Sequence, residues 1–234
     1  MDIWVQIPVS AFNKVEQLLK ELKFGNILNF NLNKEKILIL NFNKNNKELN
    51  KVNIYNTEEL TKYLFNKLKQ TKAKVAIGKY NEDRSIYKNN NEFKNRTIHL
   101  GIDLLLKENT KIFAPLKGKV HSFKNNKGIG NYGPTIILEH NLNNIKFYTL
   151  YGHLSLTSLK NIKPNQIIQQ EQPLATVGTT KVNGNWPPHL HFQIIKDLKN
   201  NKGDFPGVSS KKERNKYLNL CPNPNLILKI KKLN

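Results

Sequence analysis

A mainly β fold with a small α+β unit at its N-terminal end is what this 234-residue sequence predicts. Three observations carry that expectation. Two stretches of helical periodicity fall within the first seventy-five residues, each beside short apolar runs. From about residue 96 onward, short β-branched and aromatic runs alternate with Gly, Pro and Asn turns. A final polar stretch then leads into one short helical segment near the C-terminus. The length allows one or two domains and a sizeable buried core.

The elements follow in order. Across residues 10–23, Phe12, Val15, Leu18, Leu19 and Leu22 recur at helical spacing, with Ser10 as N-cap and Gly25 as stop. Residues 27–31 and 37–42 read as strands, the second nearly continuous in apolar residues. Residues 43–51, rich in Asn and Lys, read as a low-complexity surface loop. A second helix is expected over 57–72, with Leu60, Leu64 and Leu68 on its apolar face. The sequence therefore divides into an N-terminal unit (1–75), a connector (76–95) containing the Asn89-Asn90-Asn91 loop, a β domain (96–198) and a tail (199–234). The tail carries a short helix near 210–218 that packs back on the core. There is no internal repeat.

The net charge of +21 would ordinarily point to nucleic acid or an anionic surface. Only Arg84, Arg96 and Arg214 are arginines among thirty-eight basic residues. Nucleic-acid readers favour arginine for phosphates and bases, so a Lys- and Asn-rich chain of this kind is better explained by an AT-rich coding sequence. No specific nucleic-acid partner is expected, although the charge favours adhesion to anionic polymers, cell wall included. The single cysteine, Cys221, excludes an internal disulfide and reads as a buried packing residue. No run of eighteen apolar residues occurs, so no transmembrane helix is expected. Residues 1–17 lack the basic start and apolar core of a secretory signal, which points to the cytoplasm.

Chemistry concentrates in three pieces: His99-Leu100-Gly101-Ile102-Asp103, Tyr151-Gly152-His153-Leu154-Ser155, and Pro187-Pro188-His189-Leu190-His191-Phe192. Four of the six histidines lie in them. Residues 188–195 read as a strand, which puts His189 and His191 on one face, ~6.6 Å apart at ~3.3 Å per residue. His99 and Asp103 would stand ~13 Å apart if extended, so the chain must bend between them, most cheaply at Gly101. A strand over 146–154 delivers His153 at its tip. Alone, a His-x-His pair is more often a surface strand pair, and His99 with Asp103 an ordinary hydrogen-bonded pair. Together the pieces read as one zinc site with an open position, the arrangement of catalytic rather than structural zinc.

These motifs in this order resemble the lysostaphin-type (LytM-like) zinc metallopeptidases. Residues 110–120 resemble that family's strand, Ala-Pro turn and following Gly, and residues 128–140 its glycine-rich hairpin ending in His; the resemblance spans roughly 96–196. It implies two stacked antiparallel sheets, with His99, Asp103 and His191 holding one Zn2+ per chain. It implies that His153 and His189 flank a zinc-activated water and the scissile carbonyl as general base and oxyanion stabiliser, in an order left open. It also implies a peptidoglycan endopeptidase acting on cell-wall cross-link or stem peptides, hence a bacterial cell envelope or periplasm. No HExxH helix is present, so a glutamate base is not supported.

The chain departs from the usual pattern at Asn183-Gly184-Asn185-Trp186-Pro187-Pro188, at 203–208 and at 221–226, and it carries Tyr-Asn-Glu-Asp-Arg-Ser-Ile-Tyr over 80–87. Trp186 is expected to wall the cleft, and Arg84 and Tyr80 to line the substrate groove. The alternative for 80–87 is a connector in which Glu82 and Arg84 merely pair. A non-catalytic peptidoglycan-binding module on the same fold is the other reading of the chain; a lost ligand would favour it, and none is lost. The oligomeric state is not readable, a monomer being the default expectation.

Overall fold

The computed structural model describes residues 9–87, 93 and 95–234, the side chains of 9–13 and 85 excepted. The fold is mainly β with a small N-terminal α+β region. Helix α1 (Val9–Glu21) and strand β1 (Ile37–Ile39) lead to α2 (Thr57–Thr71) and β2 (Val75–Gly78). Then come β3 (Arg96–His99), β4 (Ile102–Leu105), β5 (Lys111–Phe113), β6 (Gly118–Asn126), β7 (Gly133–Leu142) and β8 (Ile145–Gly152). The chain finishes with β9 (Ile167–Ile168), β10 (Pro173–Thr176), β11 (His189–Ile195), β12 (Val208–Ser210), α3 (Arg214–Leu220) and α4 (Asn225–Leu228).

Among the described residues an eight-stranded sheet runs β1-β2-β4-β11-β8-β7-β6-β9, and two-stranded ladders join β10 to β5 and β12 to β3. Pairing is antiparallel except between β1 and β2, which run parallel. The strands next to the two helices therefore continue the sheet that carries the histidines. Alternation assigns its faces. Leu190, Phe192 and Ile194 of β11 join Ile102 and Leu104 of β4 in one apolar layer, against Val15 and Leu19 of α1. On the other face, Leu105 packs with Leu60, Leu64 and Leu68 of α2. Ile195 on that same face packs with Leu198, Leu220 and Cys221. The polar residues of β4 and β11 fall between these last two clusters.

Several local expectations need correction. Residues 27–31 form bends, not a strand: Ile27 and Leu28 are buried, but Ile27 offers its carbonyl to Phe113 N alone, without a ladder. Strand β1 stops at Ile39 because the Asn41 and Asn43 side chains accept from the amides two residues on, turning the chain. The stretch 43–51 is not featureless, since Asn46 caps a 3₁₀ turn (Lys47–Lys51) that buries Leu49. Helix α2 is capped by Asn56, whose side chain accepts from Glu59 N. Lys229 closes α1 by donating to the Leu19 and Lys20 carbonyls. The readings of the Ser10 and Phe12 side chains and of the Asn89–Asn91 loop lie outside the described residues.

Gly184 sits at φ +83°, where a Cβ would collide with the Asn131 carbonyl. Its turn is bonded to the glycine-rich hairpin through Gly130 N and the Gly184 carbonyl at 2.8 Å. Gly184→Ala is expected to cost about 2 kcal/mol. In a chain of this size that lowers the thermal midpoint by roughly 4–8 °C, measurable by circular dichroism.

Candidate metal centre and cleft

Register builds the site. Strand β11 lies between β4 and β8, with His191 opposite Asp103 on one side and Gly152 on the other. One strand further out, Gly78 of β2 faces Asp103. A single cross-strand row therefore reads Gly78, Asp103, His191, Gly152, with His153 next along the chain. The two glycines leave room beside the polar pair. A Cβ at Gly78 would meet Arg84 Nη2 at 2.7 Å, and one at Gly152 would meet the Tyr132 ring at 2.6 Å. The chain does bend between β3 and β4, returning His99 to the same place. There Gly101 is needed for space: a Cβ would lie 2.6 Å from His191 Nε2.

Three ligand atoms converge. His99 Nε2 lies 3.1 Å from His191 Nδ1, His191 Nδ1 lies 3.0 Å from Asp103 Oδ1, and His99 Nε2 lies 3.2 Å from that same oxygen. The remaining ring nitrogens assign the tautomers. His99 Nδ1 donates to the Lys79 carbonyl at 2.9 Å and His191 Nε2 to Gln193 Oε1 at 2.9 Å. The Gln193 amide cannot be turned round, because its nitrogen donates to the Pro206 carbonyl and Cys221 Sγ. In the neutral rings both facing nitrogens are thus lone pairs, aimed at a carboxylate oxygen. Burial, and then the Arg84 charge, push His99 down to about 4. Burial alone would raise Asp103, but His99 and Arg84 carry it well below the usual carboxylate range.

Three buried acceptors with no proton among them would be costly. A cation at the centre removes that cost. Ligand atoms ~2.0–2.1 Å from a four-coordinate tetrahedral ion stand about 3.3 Å apart, close to the edges found here. His99, Asp103 and His191 therefore fit one zinc ion.

Two more histidines face the same cleft. His153 Nδ1 donates to the Asn183 carbonyl at 2.8 Å and His189 Nδ1 to the Pro187 carbonyl at 2.7 Å, which leaves each Nε2 as an acceptor. Their rings stand 4.2 Å apart, and His189 Nε2 is 3.9 Å from Asp103 Oδ1. Burial holds both below the ordinary imidazole range, His153 well below it with help from neighbouring His189. His153 has φ +62°, unusual for a residue with a side chain. Its backbone is pinned by bonds from its own amide to the Tyr132 carbonyl and from Gly178 N to its carbonyl, both 2.9 Å.

The cleft encloses about 360 Å³. Trp186 lines it, its ring edge-on to Tyr87 at 5.9 Å and 6.0 Å from Phe93. Asn183 fixes that wall, exchanging side-chain hydrogen bonds with the backbone of Trp186 at 3.0 Å each way. Of the two residues expected beside Trp186 in the substrate groove, Arg84 does line the cleft. Arg84 is only 1% exposed and turned onto Asp103, while its Nε also pairs with Glu82 at 3.1 Å. Tyr80 does not line the cleft, because its hydroxyl donates to the Cys221 carbonyl at 2.7 Å. Burial pushes the Cys221 thiol up to about 12, so it is an unreactive packing residue.

The sequence reading did not single out Gln193 or Tyr132, and it gave Tyr87 only as the end of the 80–87 stretch. Gln193 carried a usable signal: it is the third residue in the alternation His189, His191, Gln193. Tyr132 carried none.

Asp103→Ala deletes the one anionic ligand. Elemental analysis is expected to give about one zinc per parent chain and less than a tenth of that in the variant.

Residues 97–204 match the model of a family described as Peptidase family M23. Over 119 residues the chain is 29% identical to an L-Ala--D-Glu endopeptidase of Bacillus subtilis (strain 168), covering 49% of this chain and 34% of that protein. It therefore spans about a third of the relative's length. Among solved structures it is similar to the catalytic domain of the antimicrobial peptidase lysostaphin from Staphylococcus simulans, at 24% identity over 50% of this chain and 77% of that one, TM-score 0.37. It is also similar to a zinc containing peptidase from Vibrio cholerae, at 26% identity over 42% and 27% of the two chains, TM-score 0.33. The three converging ligands and both flanking histidines all lie inside the span, residues 97–204, that matches the model of Peptidase family M23.

Proposed function

We propose that this chain is a zinc-dependent endopeptidase that hydrolyses peptide bonds of peptidoglycan, in cross-links or stem peptides. One observation carries the reading. Three buried lone pairs converge at cation-binding distances, while two further histidine acceptors open onto the same cleft. The family match and the similarity to an L-Ala--D-Glu endopeptidase support peptide hydrolysis as the reaction. The surplus of lysines suits a polyanionic cell-wall setting.

Zinc, when held by His99, Asp103 and His191, supplies Lewis acidity that acidifies a water and polarises a carbonyl. The protein's own groups handle the proton. His189 Nε2 is the acceptor beside the ligand carboxylate, 3.9 Å from Asp103 Oδ1, and is placed to take the proton of the attacking water. His153 Nε2 can donate only after it has gained a proton, so it stabilises an oxyanion as imidazolium or shares the base role. Two imidazolium rings 4.2 Å apart repel each other, so beyond their Nδ1 protons the pair takes up at most one more, the one drawn from the water. That proton is then available for the leaving amine. Trp186, Tyr87 and Phe93 form the aromatic wall that keeps bulk water from one side of the cleft.

Digestion of purified peptidoglycan with zinc-loaded protein, read by mass spectrometry of the released fragments, tests the proposal. His189→Ala and His153→Ala are each expected to keep about one zinc per chain and to lose activity by about 100-fold or more. Binding to sacculi without any released fragment from the zinc-loaded parent would sink the enzyme reading in favour of a binding module.

A further inference from the structure

Residues 79–87 lie upstream of the span that matches the family, yet they reach two of the three metal-ligating side chains. The Lys79 carbonyl accepts from His99 Nδ1 at 2.9 Å and from Arg84 Nη2 at 3.2 Å. Arg84 Nη1 donates to Asp103 Oδ2 at 2.6 Å and to Tyr87 Oη at 2.9 Å, and Nε donates to Glu82 Oε2 at 3.1 Å. Glu82 Oε1 is itself fixed by Phe42 N at 3.0 Å. Both charged side chains are nearly sealed from water, at 1% and 3% exposure.

A buried guanidinium is tolerated only when its donors and its charge are both matched. Here it is clamped between two carboxylates, in a space that exists because residue 78 is glycine. Asp103 divides its oxygens accordingly: Oδ2 goes to Arg84, and Oδ1 faces His99 and His191.

We infer that Arg84 is a positioning residue of the metal centre, resting on the zinc reading above. By occupying Oδ2 it presents Oδ1 alone to the ion, and through the shared Lys79 carbonyl it sets the orientation of His99 as well. Glu82 offsets the guanidinium charge, so that signs alternate from Glu82 through Arg84 and Asp103 to the cation. The segment 79–87 is thus part of the centre, and a chain cut down to 97–204 would lack it.

The test is zinc affinity by chelator competition on the full chain, with melting followed in parallel. Partners of metal ligands typically govern 10–100-fold in affinity, and Arg84→Ala is expected to lose about that much. Arg84→Lys, which keeps the charge but not the fork, should fall between. Leu68→Ala is the control, since it removes a buried α2 side chain remote from the ligands and lowers stability without touching the centre. An affinity for Arg84→Ala equal to that of Leu68→Ala would overturn the inference. Should Arg84→Ala fail to fold, Arg84→Lys decides, and parental affinity there overturns it. A parent that binds no zinc would instead remove the reading of the centre itself.

Discussion

A slip of one residue between β4 and β11 would turn His189, His191 and Gln193 into the apolar layer and bring Leu190, Phe192 and Ile194 into the cleft. Strand side chains alternate strictly, so such a slip reverses every residue at once. The register that places His191 opposite Asp103 is therefore enforced by the packing of Leu190, Phe192 and Ile194 with Ile102 and Leu104, on the side of the sheet away from the chemistry. The polar face inherits its alignment from the core face. That dependence explains why so polar a row can sit in the middle of a sheet buried on both sides. The hydrophobic clusters to either side, one under α2 and one around Cys221, exclude water from it and are interrupted only where the row runs.

Within the row, protons are held outward and lone pairs inward. Three of the four histidines donate Nδ1 to backbone carbonyls, those of Lys79, Asn183 and Pro187. His191 is the exception: its outward nitrogen is Nε2, and it goes to the Gln193 side chain. The inward set therefore holds Nε2 of His99, His153 and His189 together with Nδ1 of His191. This division makes the three nearest atoms a cation site and the other two proton acceptors. Among the described residues the Asp103 carboxylate contributes the only formal negative charge in this cation site.

The fold class and the five central residues were legible in the sequence because their signals are side-chain identity and spacing. His189 and His191 at i and i+2 lie on one face of a strand whatever surrounds it. His99 and Asp103 needed a bend, and Gly101 marked where it comes. The supporting partners were not legible in the same way. A carbonyl partner such as Lys79 or Pro187 can come from any residue type, so nothing in the sequence singles it out. Arg84 was visible as an unusual arginine in a lysine-rich chain, but its direction was not: only the fold shows that, in the cleft wall, it turns onto Asp103. The strand expected at 27–31 failed for a related reason. Apolar residues mark burial there correctly, and burial alone does not supply a neighbouring strand edge to pair with.

The support on the two sides of the Asp103–His191 pair differs in kind. On the β2 side the space left by Gly78 holds a guanidinium, charged and bonded directly to the ligand carboxylate. On the β8 side the space left by Gly152 holds the Tyr132 ring, neutral, its hydroxyl 3.4 Å from His191 Nε2 and 3.5 Å from Gln193 Oε1. Burial holds that phenol well above its ordinary range, so it stays protonated and adds no charge. The donor strength of Asp103 is thus tempered by a cation, while His191 is held by a neutral amide and packed by an aromatic face. A centre built this way holds its ligands from both flanks, and it adjusts charge from one flank only, the one that lies outside the segment matching the family model.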